Sequence, residues 1–174
     1  MLFVLALSAI LAGASIPQLL GTLDRSRAWA AARYLAARMS MARAHAVMRS
    51  AHVALRFEQG EADTTFQLFV DENHNGVRTS DIAGGIDRAM NDSVRLSDLF
   101  PGVVIGVAGA AGTDPIRIGS SNLLSFTPAG TATPGTIYVR SRDGLQLAVR
   151  VTGATGRARV MRYVPDSDTW VESF

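Results

Sequence analysis

MLFVLALSAILAGASIPQLLGTL, residues 1–23, runs straight into DRSRAWAAARYLAARMSMARAHAVMRS, residues 24–50, and the join between them decides the fold. Residues 1–23 carry no charged side chain. As a helix they reach roughly 35 Å at about 1.5 Å per residue, enough for a hydrocarbon core of about 30 Å. Pro17 kinks such a helix without excluding it. Charge begins at Asp24-Arg25. From there Ala28, Ala32, Leu35, Met39, Ala42 and Ala46 recur at alternating spacings of four and three, which draws one apolar stripe along a helix. Arg27, Arg38 and Arg49, eleven apart, mark a solvated face. The expectation is a membrane-spanning helix over 1–23 that continues as an amphipathic helix over 24–50. A cleaved secretory signal, with Ala12-Gly13-Ala14 before Ser15, is the competing reading. The missing basic residues at the start favour the retained helix.

After Ser50 the period changes from helix to strand. Val53, Leu55 and Phe57 alternate with Ala54, Arg56 and Glu58, and Phe66, Leu68 and Val70 alternate beyond a polar turn, which predicts a hairpin. Residues 71–92 are polar and irregular. Short strands are expected at Val94–Leu99, Val103–Val107 and Leu123–Phe126. Thr136–Arg140 and Leu145–Thr152 flank Ser141-Arg142-Asp143-Gly144, whose Asp-Gly is a hairpin signal. Arg157–Val164 alternates again, and a short acidic tail follows. The sequence therefore predicts an α+β fold. A long N-terminal helix packs its stripe on an antiparallel β-sheet or sandwich, with residues 51–174 as one β-rich domain.

All 17 basic residues are arginine, cysteine is absent, and the net charge is +2. Disulfides and thiolate metal sites are thereby excluded. The small net charge conceals segregation: +6 over 24–56, −6 over 57–100, +5 over 101–162 and −3 over 163–174. Catalytic signatures are missing. No Gly-x-Ser-x-Gly context surrounds a serine, and no lysine exists to complete a phosphate-binding loop at Gly106–Gly112. His45, His52 and His74 are scattered. Asp71, Asn73, Asn75 and Gly76 match the opening of a calcium loop, but Ile82 stands where the loop needs Glu, with Asp81 one residue early. These weak donors read as a polar turn whose Asn and Gly tolerate positive φ. The expectation is no enzyme, no cofactor and no small-molecule substrate.

Three stretches carry a resemblance to a known family. They are the apolar helix with Pro17 followed by Arg33–Val47; Phe69-Val70-Asp71-Glu72-Asn73-His74-Asn75-Gly76-Val77-Arg78; and Phe126-Thr127-Pro128-Ala129-Gly130 followed by Gly135. In order and spacing the chain resembles the GspH/FimT family of type IV pilin-like minor pilins, or pseudopilins. Setting Pro17 on the family's helix proline places its assembly glutamate immediately before Met1, so the chain is expected to begin late. The resemblance implies a structural subunit anchored in the inner membrane, with its globular domain in the periplasm. Other pseudopilins or pilins would be its partners through the N-terminal helix. Phe126, Pro128, Gly130, Gly135 and Pro17 would have structural roles. Helping initiate or cap a type II secretion pseudopilus is the favoured function. Gly156-Arg157-Ala158-Arg159 resembles the Gly-Arg-x-Arg motif of the FimT branch, which implies DNA as an alternative partner. Arg157 and Arg159 share one side of a strand, and Arg162, Arg140, Arg142 and Arg150 are expected nearby.

Overall fold

The computed structural model describes residues 2–60, 63–108 and 113–172, with side chains from residue 21 onward. Helix α1 spans Leu2–Arg49. Its ending follows from local backbone geometry. Ser50 takes a left-handed φ of 50°, the Ser50 N–H donates to the Val47 carbonyl, and the Ala51 N–H donates to the Ala46 carbonyl. That is a Schellman cap, with buried Ala51 as its apolar plug. Arg49 in the last turn complements the helix dipole. The expected membrane span falls almost wholly on residues 1–20, whose side chains lie outside the described set, as does Pro17. Among the described residues no helix is long and apolar enough to cross a membrane.

Past α1 the chain forms β1 (Val53–Gln59), β2 (Thr64–Val70), α2 (Thr79–Ala83), β3 (Arg88–Ala89), β4 (Val94–Arg95) and α3 (Leu96–Leu99). It continues with β5 (Val103–Ile105), β6 (Ile116–Arg117), β7 (Leu123–Phe126), β8 (Gly135–Ser141), β9 (Gln146–Thr152), β10 (Arg157–Val164) and β11 (Thr169–Glu172). Two antiparallel sheets result. The first is ordered β3-β2-β1-β7, with β4 also on β2. The second is ordered β11-β10-β9-β8-β5, with β6 also on β8.

The predicted helical stripe is the seam of the core. Ala28, Ala31, Ala32, Leu35, Met39, Ala42 and Ala46 are all fully buried. They share one cluster with Val53, Leu55 and Phe126 of the first sheet and Ile137, Val139, Leu147 and Val149 of the second. Alanine at most of these positions brings the helix axis close to both sheets, while Leu35 and Met39 fill the gap between them.

Two expectations need correction here. Val94–Leu99 is not one strand. Leu96 and Phe100 are four apart, a helical spacing, and the chain turns into α3 so that Leu96 is buried and Phe100 meets Tyr34 at 5.7 Å between ring centroids. Arg38 is not on a solvated face. It is half-buried, with its guanidinium 5.8 Å from the Tyr34 ring and its Nε buried. The acidic tail adds a strand beyond those expected: β10 and β11 pair Tyr163 with Trp170 across Pro165–Asp168.

Candidate interaction surface

Pairing register assigns each arginine of the second sheet to a face. Thr136 of β8 lies opposite Arg150 of β9, and Arg150 opposite Arg159 of β10. Arg157 is two residues from Arg159 and lies opposite Thr152. Because side chains alternate along a strand, Arg150, Arg157 and Arg159 stand together on the face turned away from α1. Arg140 and Tyr138 of β8 and Arg117 of β6 share it. All five arginines are exposed. Two like charges directly opposite, Arg150 and Arg159, repel one another. Glu172 of β11 relieves this from the far edge, accepting from Arg159 Nη1 at 3.0 Å.

Aromatic rings lie among these charges. Trp170 sits 5.5 Å from Tyr138 and 5.3 Å from Tyr163, and the Arg117 guanidinium is 5.3 Å from the Tyr138 ring. Ala148, paired with both Tyr138 and Met161, leaves the room that lets rings meet over the sheet; it is 1% exposed. Tyr163 donates its hydroxyl hydrogen to Asp168 at 2.7 Å, and that bond raises the phenol's pKa above its ordinary value.

Arg162 does not join this face. It pairs with Leu147, a core residue, and so points to the helix side, where it lines a groove with Arg25, Trp29, Asp143 and Tyr163. Arg142 lies at the β8–β9 turn beside Gly102. The arginines that sequence spacing grouped as Arg157, Arg159 and Arg162 are thus divided between two faces. Arg117 and Trp170 are the members that sequence spacing missed. Each is brought in by a strand of four residues or fewer, β6 and β11.

The groove is held by a tie between helix and hairpin: Arg25 Nε donates to Asp143 Oδ2 at 2.9 Å. Partial burial pushes the Asp143 pKa up, but hydrogen bonds from the Ser141 hydroxyl and the Arg25 guanidinium outweigh it and hold the carboxyl below its ordinary value.

The motif residues around Phe126 have structural surroundings. Phe126 is fully buried and lies opposite Val53 of β1. Thr127 to Thr131 closes on itself, the Thr127 N–H donating to the Thr131 carbonyl and the Gly130 N–H to the Thr127 carbonyl. Pro128 is half-buried within that loop, and Gly130 has a φ of +80°. Arg43 of α1 reaches over and donates from Nε to the Gly130 carbonyl at 2.9 Å. Gly156 packs against the same place with a φ of +58°; a Cβ there would lie 2.5 Å from the Gly130 oxygen and 2.9 Å from Arg43 Cδ. At Gly135 a Cβ would lie 2.6 Å from Ile118 Cγ1. The helix, the Phe126 loop and the β9–β10 turn therefore meet at one point, and Gly156 serves that junction rather than the arginines after it.

The Asp71 segment forms a compact polar loop. Asp71 Oδ2 accepts from the Gly76 N–H at 2.7 Å, and Asp81 Oδ2 accepts from Asn73 and Asn75 at 3.2 and 3.0 Å. These amide bonds lower the Asp81 pKa. No group of three or more His, Asp or Glu lies within reach of one metal ion among the described residues.

Comparison with known proteins decides the family. The model of a family described as type II transport protein GspH matches residues 31–156, from the middle of α1 to the glycine before β10. The chain belongs to the GspH family. A solved structure of the minor pseudopilin EpsH from the type 2 secretion system of Vibrio cholerae shares the fold. Its TM-score is 0.52 at 11% identity, covering 78% of this chain and 97% of that one. Comparison with curated proteins finds no match. The GspH match ends at Gly156, so Arg157 and Arg159 lie just beyond it.

Proposed function

We propose that this chain is a minor pseudopilin of a type II secretion system, a structural subunit that helps initiate or cap the periplasmic pseudopilus. The GspH match over residues 31–156 carries this reading. Helix α1 supports it physically. One side is buried in both sheets, while Leu23, Met41, Val47 and Met48 remain exposed on the other, Met48 at 78%. That apolar side is available to neighbouring helices in a filament. In this reading residues 1–23 anchor the unassembled subunit as a single span of the inner membrane, and residues 51–174 lie in the periplasm. Partners are other pseudopilins, and the role is assembly rather than catalysis.

The test uses the absence of native cysteine. Met41→Cys and Met48→Cys should form disulfide cross-links to cysteines placed on the helices of other pseudopilins in secreting cells. Deleting the gene should stop export. Export that continues in the deletion strain, with no cross-links, would overturn the reading.

A second reading, a pilus-associated subunit that binds DNA as in the FimT branch, is favoured by one observation. Arg117, Arg140, Arg150, Arg157 and Arg159 share a face with stacked Tyr138, Trp170 and Tyr163. Arginines suit phosphates, and half-buried rings at a surface offer faces on which bases can stack. If Arg157 and Arg159 each contact one phosphate, Arg157→Ala/Arg159→Ala should lower the log–log salt slope of binding by about 2. Arg27→Ala/Arg49→Ala removes equal charge from the exposed side of α1 and should not. No binding near 50 mM salt, about the low end of such assays, would sink this reading.

A further inference from the structure

We propose that the loop from Asp71 to Asp87 is a calcium site. The decisive observation is a pair of buried carboxylates without a counter-charge. Asp71 and Asp87 are each 2% exposed, and one oxygen of each, Oδ1, is buried with no hydrogen-bond partner. Among the described residues neither takes part in an ion pair. Buried charges are ordinarily paired or bound to a metal, because an isolated one loses its hydration for nothing in return.

Both acids are aimed at one short stretch of chain. Asp71 Oδ2 is fixed by the Gly76 N–H, and Asp87 Oδ2 by the Arg78 N–H at 3.0 Å. The two carboxylates thus hold the ends of residues 76–78, and Asp71 does so from the start of the calcium-like stretch. Neutral amide side chains follow Asp71 in the same loop. Asn73 and Asn75 both hydrogen-bond the same oxygen, Asp81 Oδ2, so three polar side chains already converge within the span of a coordination shell. Turning either amide presents its Oδ1 in place of its Nδ2.

Sequence spacing alone argued against this site, because position twelve of the loop is Ile82. The structure supplies a different closing acid. Helix α2 begins at Thr79 and carries Asp81 back over Asn73 and Asn75, so the closing carboxylate comes one residue early. Ile82 instead packs against the small apolar cluster of Ala54, Phe69, Val77 and Leu123. All the donors are oxygen and several are neutral, which matches calcium better than the smaller, strictly octahedral magnesium. Without a bidentate glutamate at the twelfth position, the expected affinity is that of extracellular modules, a Kd of about 0.1–1 mM.

Calorimetric titration of the full chain in detergent with calcium chloride tests this, alongside thermal melting with and without the salt. Calcium should bind at one site and raise Tm, and magnesium should do so at least tenfold less effectively. Asp71→Asn keeps an acceptor for the Gly76 N–H, and Asp81→Asn keeps an acceptor at that position, yet each should weaken calcium binding at least tenfold. Should Asp71→Asn misfold, the native titration and Asp81→Asn still decide. The site is overturned by no heat and no Tm shift at about 10 mM calcium, some tenfold above the weakest Kd expected. It is equally overturned by an equal response to magnesium, or by a calcium response that survives in both variants. An Asp71→Asn protein as stable as the native chain, together with calcium inertness, would assign the buried oxygens to internal water instead.

Discussion

Behind β1, β2 and β7, residues 71–92 fold over the sheet, placing Val77 and Ile82 on Ala54, Phe69 and Leu123. Behind β8, β9 and β10 the described residues place only Trp170 and its ring neighbours, and Arg140, Arg150, Arg157 and Arg159 face outward. Both sheets give their other face to the same helix. The sequence of each strand records the difference. Leu68, Phe69 and Val70 are buried in succession, because both sides of β2 are covered there. Arg157-Ala158-Arg159-Val160 alternates strictly, with the arginines exposed and Ala158 and Val160 packed against the core. Loss of alternation marks a covered back, and its persistence marks an open one. The open back is therefore where a partner surface can be sought, and the covered back is where stability is concentrated.

The comparison would break first at the shared core. Phe126 is fully buried between the helix and β1. Phe126→Ala should cost about 3–5 kcal/mol by transfer and cavity terms, read as a lower midpoint in urea. An unchanged midpoint would mean that this aromatic contributes nothing to the joint between helix and sheet.

Gly156 comes next. Alanine there must adopt a left-handed φ and also displace the Gly130 carbonyl or Arg43. The strain of the first is about 1–2 kcal/mol and overpacking adds about 1–3. Gly156→Ala should lower stability by about 2–4 kcal/mol with Arg157 and Arg159 intact. A neutral result would detach the glycine from the helix junction and return it to the arginine motif.

These two positions show what was legible in the sequence. The stripe Ala28 to Ala46 and the hairpins at 53–70 and 136–152 follow from periodicity and turn chemistry, which are local, whereas the expectation for Phe126 comes from the family resemblance. The meeting of Gly156, Gly130 and Arg43 is not local; 87 residues separate Arg43 from Gly130. The same holds for the open face. Arg157 and Arg159 announce themselves two apart, but Arg117 arrives on a two-residue strand and Trp170 on a four-residue one. Neither strand is long enough to show a period. Arg162 misled for the opposite reason: nearness in sequence outweighed strand parity. At Asp71 the motif was visible, but the burial that makes its charge significant depends on the packing of 71–92 against the first sheet.

On the open back, removal of a large side chain should matter much less. Trp170 is half-buried and touches Tyr138 and Tyr163 without filling the core. Trp170→Ala should cost about 1 kcal/mol, the order of such ring contacts. A loss as large as that of Phe126→Ala would show that the second sheet's back is a core in its own right, and the contrast between the sheets would fail.

The smallest effect is expected at the Arg25–Asp143 tie, which joins α1 to the second sheet at its edge. Arg25 is 70% exposed, so solvent screens the pair and it should contribute at most about 1 kcal/mol. Its pH dependence has a definite sign. The Asp143 pKa is lowered in the folded chain, where the Ser141 and Arg25 bonds overcome the opposing effect of partial burial. The unfolded chain therefore takes up the proton first as pH falls. The stabilisation is fully present above the unfolded value of about 3.9 and disappears as pH drops through the folded one. Asp143→Asn should be less stable than the native chain near pH 7 and converge with it as pH falls through the folded value, measured by denaturant unfolding at each pH. The gap should also shrink in about 1 M salt, where screening acts over roughly 3 Å. A gap that persists at low pH would assign Asp143 to the geometry of the β8–β9 turn, where its carboxylate accepts from Ser141, rather than to the helix.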